Sequence, residues 1–113
     1  DFLLEWWKQL FSFVASERLS PPDASRMYAY IATAIYEAQL PGNPDYLTLE
    51  GQLNGLTDLP RPDKNEVYDW TAVTVETIYY VQDEMLARYL PAGVKAINNL
   101  HEKQMAACAE KAA

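Results

Sequence analysis

A histidine, a thiol and sixteen carboxylates are the raw material for chemistry in this sequence. His101 and Cys108 are each the only residue of their kind. A Ser or Cys nucleophile needs a histidine that is itself oriented by a third group, and nothing in the spacing brings Ser25 or Cys108 to His101. His101 falls instead at the edge of an apolar helical face, where its ring packs and one nitrogen meets water or a carbonyl. Cys108 reads as a buried thiol, because a free cysteine behaves as a small hydrophobe. Alone, it forms neither an internal disulfide nor a cysteine metal cluster.

Acid–base or metal chemistry requires carboxylates that converge on one pocket. Asp83, Glu84 and Glu102 read as solvated faces. Glu37 differs, since it interrupts an otherwise apolar segment; a structural pair with Arg26 or Arg88 is the expected reason, an unpaired buried charge being costly. Arg26, seven residues after Leu19, stands where free helix amides and a guanidinium would together hold a phosphate, but no glycine-rich loop accompanies it. Trp6, Trp7, Tyr28, Tyr30, Tyr36, Tyr79, Tyr80 and Tyr89 supply rings for an aromatic ligand wall, although rings at helical spacing read first as core. No catalytic, cofactor-binding or metal-ligating residue is therefore assigned within the chain.

The elements that would position these groups are all helical. Leu3, Trp6, Trp7, Leu10, Phe11 and Val14 recur at spacings of three and four, which predicts a helix over 1–17 with one buried face. Ser20-Pro21-Pro22-Asp23 is a cap followed by first-turn prolines, opening a helix over 21–40 that is apolar almost all round and is expected to be central and most buried. Asn43-Pro44 repeats that start for a short helix over 44–54, closed by Gly55. Pro60 and Pro62 make 56–64 an extended connection. Asp69 or a residue slightly earlier caps a helix over 66–90, with Trp70, Val73, Ile78, Val81, Met85 and Tyr89 inward. Its β-branched residues alternate locally as a strand would, but 82–88 continues without a turn signal. Pro91 and Gly93 precede a last amphipathic helix over 92–112, with Val94, Ile97, His101, Met105 and Cys108 on its apolar side. The expected architecture is an all-α bundle of about five helices in a single unit, 1–113.

Half of the 113 residues are apolar or aromatic, enough for one modest core. A net charge of −7 with only nine Lys and Arg argues against nucleic acid, whose phosphates demand clustered cations. No run approaches the roughly 18 apolar residues of a membrane span, and Asp1-Phe2-Leu3-Leu4-Glu5 is interrupted too early for a signal peptide.

The run Leu19-Ser20-Pro21-Pro22-Asp23-Ala24-Ser25-Arg26-Met27-Tyr28-Ala29-Tyr30, continuing through Ala34-Ile35-Tyr36-Glu37-Ala38, resembles the second-helix region of vanadium-dependent haloperoxidase-like proteins of the type-2 phosphatidic acid phosphatase superfamily. Gly51-Gln52-Leu53-Asn54-Gly55-Leu56, Leu59-Pro60-Arg61-Pro62 and Tyr68-Asp69-Trp70 are similar to the following connection and helix in secreted bacterial members. The likeness extends over about residues 1–105 and rests on structural motifs. That family holds vanadate or phosphate with Lys and Arg, and uses a His as axial ligand or phosphoryl acceptor, in the later patterns Lys-x6-Arg-Pro, Pro-Ser-Gly-His and Ser-Arg-x5-His. None is matched: seven residues before Arg61 stands Asn54 instead of Lys, and six after Arg26 stands Ala32 instead of His.

The resemblance thus implies the N-terminal helical part of a larger all-α haloperoxidase-like or acid-phosphatase-like enzyme, exported to the periplasm or beyond the cell. Vanadate or phosphate would be bound by downstream segments, and the partner of this unit would be that downstream catalytic bundle. The uncapped end at Ala113 is expected where a chain is cut within or just after a helix. The alternative is a free-standing helical module that binds a partner helix through Trp and Tyr. Either reading admits pairing of apolar faces between copies.

Overall fold

The computed structural model describes residues 2–86 and 91–112. Within them the chain forms α1 (Phe2–Ser16), α2 (Pro21–Gln39), α3 (Trp70–Leu86) and α4 (Pro91–Ala112), with a single 3-10 turn at Leu40–Gly42 and no strand. The all-α class holds, and the β-branched run of α3 is helical because its inward residues form a core stripe that a lone strand would leave unpaired.

Local chemistry explains the starts. The Ser20 hydroxyl oxygen accepts from the Asp23 amide at 3.3 Å, with prolines in the first turn of α2. Asp69 caps α3 as expected: its Oδ1 accepts from the amides of Thr71 at 3.0 Å and Ala72 at 3.2 Å. That cap places the start at Trp70 instead of 66. The predicted continuation to 90 falls on 87–90, outside the described residues.

The short helix expected over 44–54 does not form, so the described chain has four α-helices where about five were expected. Two of its requirements fail. The amide of Leu49, which a helix needs for its own ladder, donates to the Glu37 carboxylate at 2.6 Å. Gly51 and Gly55 adopt φ of +79° and +81°, left-handed values that break a helix and close turns instead. The connection between α2 and α3 therefore spans 43–69, a chain of turns that includes the extended proline segment.

The helices alternate in direction. Phe2 and Leu3 of α1, Gln39 of α2, Trp70 of α3 and Lys111 of α4 line one cleft at the same end of the molecule, so starts of α1 and α3 meet ends of α2 and α4. Gly42 is seated so closely on Trp70 that an added Cβ would stand 2.6 Å from the indole Cδ1. At this position glycine lets the α2 exit approach the α3 start.

The central helix is α3, which packs along both α2 and α4 and is also touched by α1. This corrects the expectation that α2 is most buried. Only Ala24, Met27, Ile31 and Ile35 of α2 are buried, one stripe at helical spacing, and Tyr30 is 56% exposed. Its many alanines made the sequence look apolar all round, yet a methyl group costs little at a surface. The phases of the other helices shift as well. Trp6 and Leu10 enter the core while Phe11 is 68% exposed; α3 buries Thr74, Val75, Ile78, Gln82 and Leu86; α4 buries Gly93, Ile97, Leu100, Gln104 and Cys108.

Candidate functional site

The one histidine is brought to a carboxylate. His101 on α4 meets Glu76 on α3 with Nε2 and Oε1 2.6 Å apart, so the expected carbonyl or water is replaced at that nitrogen by a side-chain oxygen. The imidazole lies flat on Tyr79, ring centroids 3.9 Å apart and planes inclined by 13°. The Tyr79 hydroxyl in turn donates to Asn98 Oδ1 at 2.8 Å. Positions 76 and 79 are one helical turn apart on α3, and 98 and 101 one turn apart on α4, so two antiparallel helices present two pairs in register. Burial pushes the Tyr79 phenol above its ordinary value, and the charges of Asp83, Glu76 and Glu102 add to the shift.

A Glu–His pair can fix a tautomer. With neutral His101, Nε2 carries the proton toward Glu76 and Nδ1 is left as an acceptor. Catalysis would further require a nucleophile or substrate hydroxyl on that side. Cys108 cannot serve from its place in the core, where burial raises its thiol above the ordinary value. Ser25 lies on exposed α2 surface. The Glu76–His101–Tyr79–Asn98 cluster thus joins α3 to α4, which is the packing role expected for His101, with a partner the sequence did not identify.

Glu37 was expected to pair with Arg26 or Arg88. It does neither job with Arg26: its carboxylate accepts from the Thr48 hydroxyl at 2.8 Å and from the Leu49 amide, while Arg88 lies outside the described residues. A carboxylate satisfied by a hydroxyl and an amide needs no cation. Glu50 repeats the device, accepting from the Leu59 amide at 3.2 Å and pairing with Arg61 at 3.2 Å. Tyr36 completes the set by donating to the Leu47 carbonyl at 2.7 Å. The Tyr36 and Glu37 contacts pin 47–49 to α2, and the Glu50 contacts tie the connection to itself.

At the N-terminus of α2, a phosphate would meet the Asp23 carboxylate, which already accepts from the Ser20 hydroxyl at 2.9 Å; Arg26 is exposed beyond it. The aromatic residues do not form one wall. Trp6 is core, Trp7 packs on Tyr28 with centroids 6.0 Å apart, Tyr79 carries His101, and Tyr30 and Tyr80 face solvent. Tyr89 lies outside the described residues. Among the described residues no three His, Cys, Asp or Glu side chains gather as a metal site, and no helix is long and apolar enough to cross a membrane.

Sequence reasoning missed the buried amides. Gln104 accepts from Trp6 Nε1 at 2.6 Å and donates to the Phe2 carbonyl at 3.1 Å. Gln82 is fully buried with neither amide atom hydrogen-bonded to protein. Their signal was present: each stands four residues from an apolar neighbour on both sides, Ile78 and Leu86 for Gln82, Leu100 and Cys108 for Gln104.

Comparison with known proteins finds no family, no curated protein and no solved structure that matches this chain.

Proposed function

We propose that this helical unit is non-catalytic and works by packing against further helical structure, as the N-terminal support of a haloperoxidase-like or acid-phosphatase-like enzyme. The observation that carries the packing role is the outer face of α1. Leu4 is 50% exposed and Phe11, seven residues on, 68% exposed, on a helix whose opposite face already fills the core with Trp6 and Leu10. Seven residues are two helical turns, so both side chains stand on one line with Lys8 between them. Such a face fits into the groove of another helix. The enzymatic half of the reading is supported only by the resemblance of residues 19–38 and 51–70 set out above.

The test joins sequence and binding. The coding sequence following Ala113 is read for Pro-Ser-Gly-His and Ser-Arg-x5-His, and the segment it encodes is co-purified with residues 1–113. The expected result is both motifs and a stable complex that the double variant Leu4→Glu, Phe11→Glu dissolves. Motifs missing downstream would overturn the enzymatic half. A complex indifferent to the double variant would overturn the packing role of α1.

A free-standing interaction module is the second reading, and a different surface, the outer face of α3, favours it.

A further inference from the structure

Going beyond the α1 packing role to a separate surface, we propose that the outer face of α3 docks a basic amphipathic helix. α3 is flanked by α2 and α4, and its core stripe of Val75, Ile78, Gln82 and Leu86 points inward. On the outer side Val73, Thr77 and Tyr80 follow one another at spacings of four and three, and with Ala72, Glu76 and Val81 they line a shallow trough of about 520 Å³. The Thr77 hydroxyl donates to the Val73 carbonyl at 2.8 Å, so its polar group is satisfied within the helix and its methyl is left to the trough. Tyr80 is 63% exposed. Apolar positions repeating at i, i+4 and i+7 are the pattern that a partner helix reads.

The charges commit the partner's chemistry. Trp70–Leu86 carries Glu76, Asp83 and Glu84 and no Lys or Arg. Glu76 lines the trough itself, and Glu84, four residues past Tyr80 on the same line of the helix, is exposed at its end. The His101 imidazole is already engaged by Glu76, and Lys95 on α4 is exposed. An apolar stripe with an acidic border is complementary to a helix whose apolar anchors are bordered by Lys and Arg. It is poorly suited to an anionic lipid surface or to a second copy of this chain, which carries a net charge of −7.

The probe is a 14-residue amphipathic helix of Leu and Lys, set against a matched Leu and Glu peptide and titrated into isotope-labelled protein. The expected result is binding of the Lys peptide alone, with amide shifts centred on Val73, Thr77 and Tyr80, and affinity falling about tenfold as salt is raised through the range where the Debye length shrinks below about 10 Å. Thr77→Lys combined with Tyr80→Lys should weaken binding about tenfold, the loss typical of a removed anchor, with an unchanged circular dichroism spectrum. Equal binding of the Glu peptide, shifts centred on another face, or no binding would each overturn the proposal. The Leu4→Glu, Phe11→Glu variant separates it from the α1 reading: it should leave Lys-peptide binding intact, and its own effect on the downstream segment stands or falls independently.

Discussion

Trp6 on α1 donates its indole N–H to the side-chain oxygen of Gln104 on α4 at 2.6 Å, with both side chains almost wholly buried. Gln104 also reaches the Phe2 carbonyl, so a single amide ties two points of α1 to α4 across 98 and 102 positions of chain. Lys103 adds an exposed pair with Glu5 at 2.8 Å beside it, and this contact lowers the Glu5 carboxyl. An exposed pair contributes little compared with a buried bond that has no water to replace it.

Trp6→Phe should therefore cost more than its lost area. It leaves the Gln104 oxygen buried and unpaired, a penalty of about 1–3 kcal/mol on top of the smaller ring. Adding Gln104→Leu to Trp6→Phe should recover part of the loss, because both partners are then apolar. Urea unfolding of the four proteins in the cycle reads the coupling; strictly additive losses would mean that the bond contributes nothing.

Gln82 gives the opposite sign. It is fully buried with both amide atoms lacking a protein partner, so Gln82→Met exchanges two unpaired polar atoms for a thioether of similar shape. A gain of about 1–2 kcal/mol is expected, read as a higher urea midpoint with an unchanged slope. A loss of stability would show that Gln82 is hydrogen-bonded in solution.

Glu37 should matter for the 43–69 connection more than for the bundle. Glu37→Ala removes the acceptor for the Thr48 hydroxyl and the Leu49 amide. Limited proteolysis should then cut within 43–69 several times faster, while the helical circular dichroism signal changes little. An unchanged cleavage rate would assign the ordering of this segment to Tyr36, Glu50 and the Trp70 packing instead.

How far these contacts were legible in the sequence follows from their range. The caps at Ser20 and Asp69 involve residues within three positions of each other and were readable from spacing. The inward faces of α3 and α4 were only partly readable, because Ile78, Ile97 and Cys108 fit two neighbouring helical phases, and the expected phase turned Val73, Val81 and Met85 of α3 and Val94, His101 and Met105 of α4 inward. Gln82 and Gln104 decided otherwise. The Glu76–His101 pair joins positions 25 apart, and Glu37 finds its partners 11 and 12 positions away in a segment expected to be helical. Such pairings depend on how whole helices stack, which local patterns do not encode.

Tyr79 provides the pH dependence. Its folded value lies above the ordinary 10.0, chiefly through burial, so the native state holds this proton where the unfolded chain has lost it. The stability it contributes is present below pH 10.0 and is lost as pH rises through the folded value. Tyr79→Phe should flatten that alkaline decline, and absorbance titration at alkaline pH should lose a phenol that titrates above the ordinary value. An unaltered titration curve would assign the late phenol elsewhere.

The packing role rests on the outer face of α1, and hydroxyl-radical footprinting tests it most directly. Leu4 and Phe11 are labelled in residues 1–113 alone and in the same residues joined to whatever follows Ala113 or bound to a partner. The account predicts that both side chains label readily alone and are protected several-fold in the larger assembly, while exposed Val67 labels equally in both. Equal labelling of Leu4 and Phe11 in the two states would contradict it.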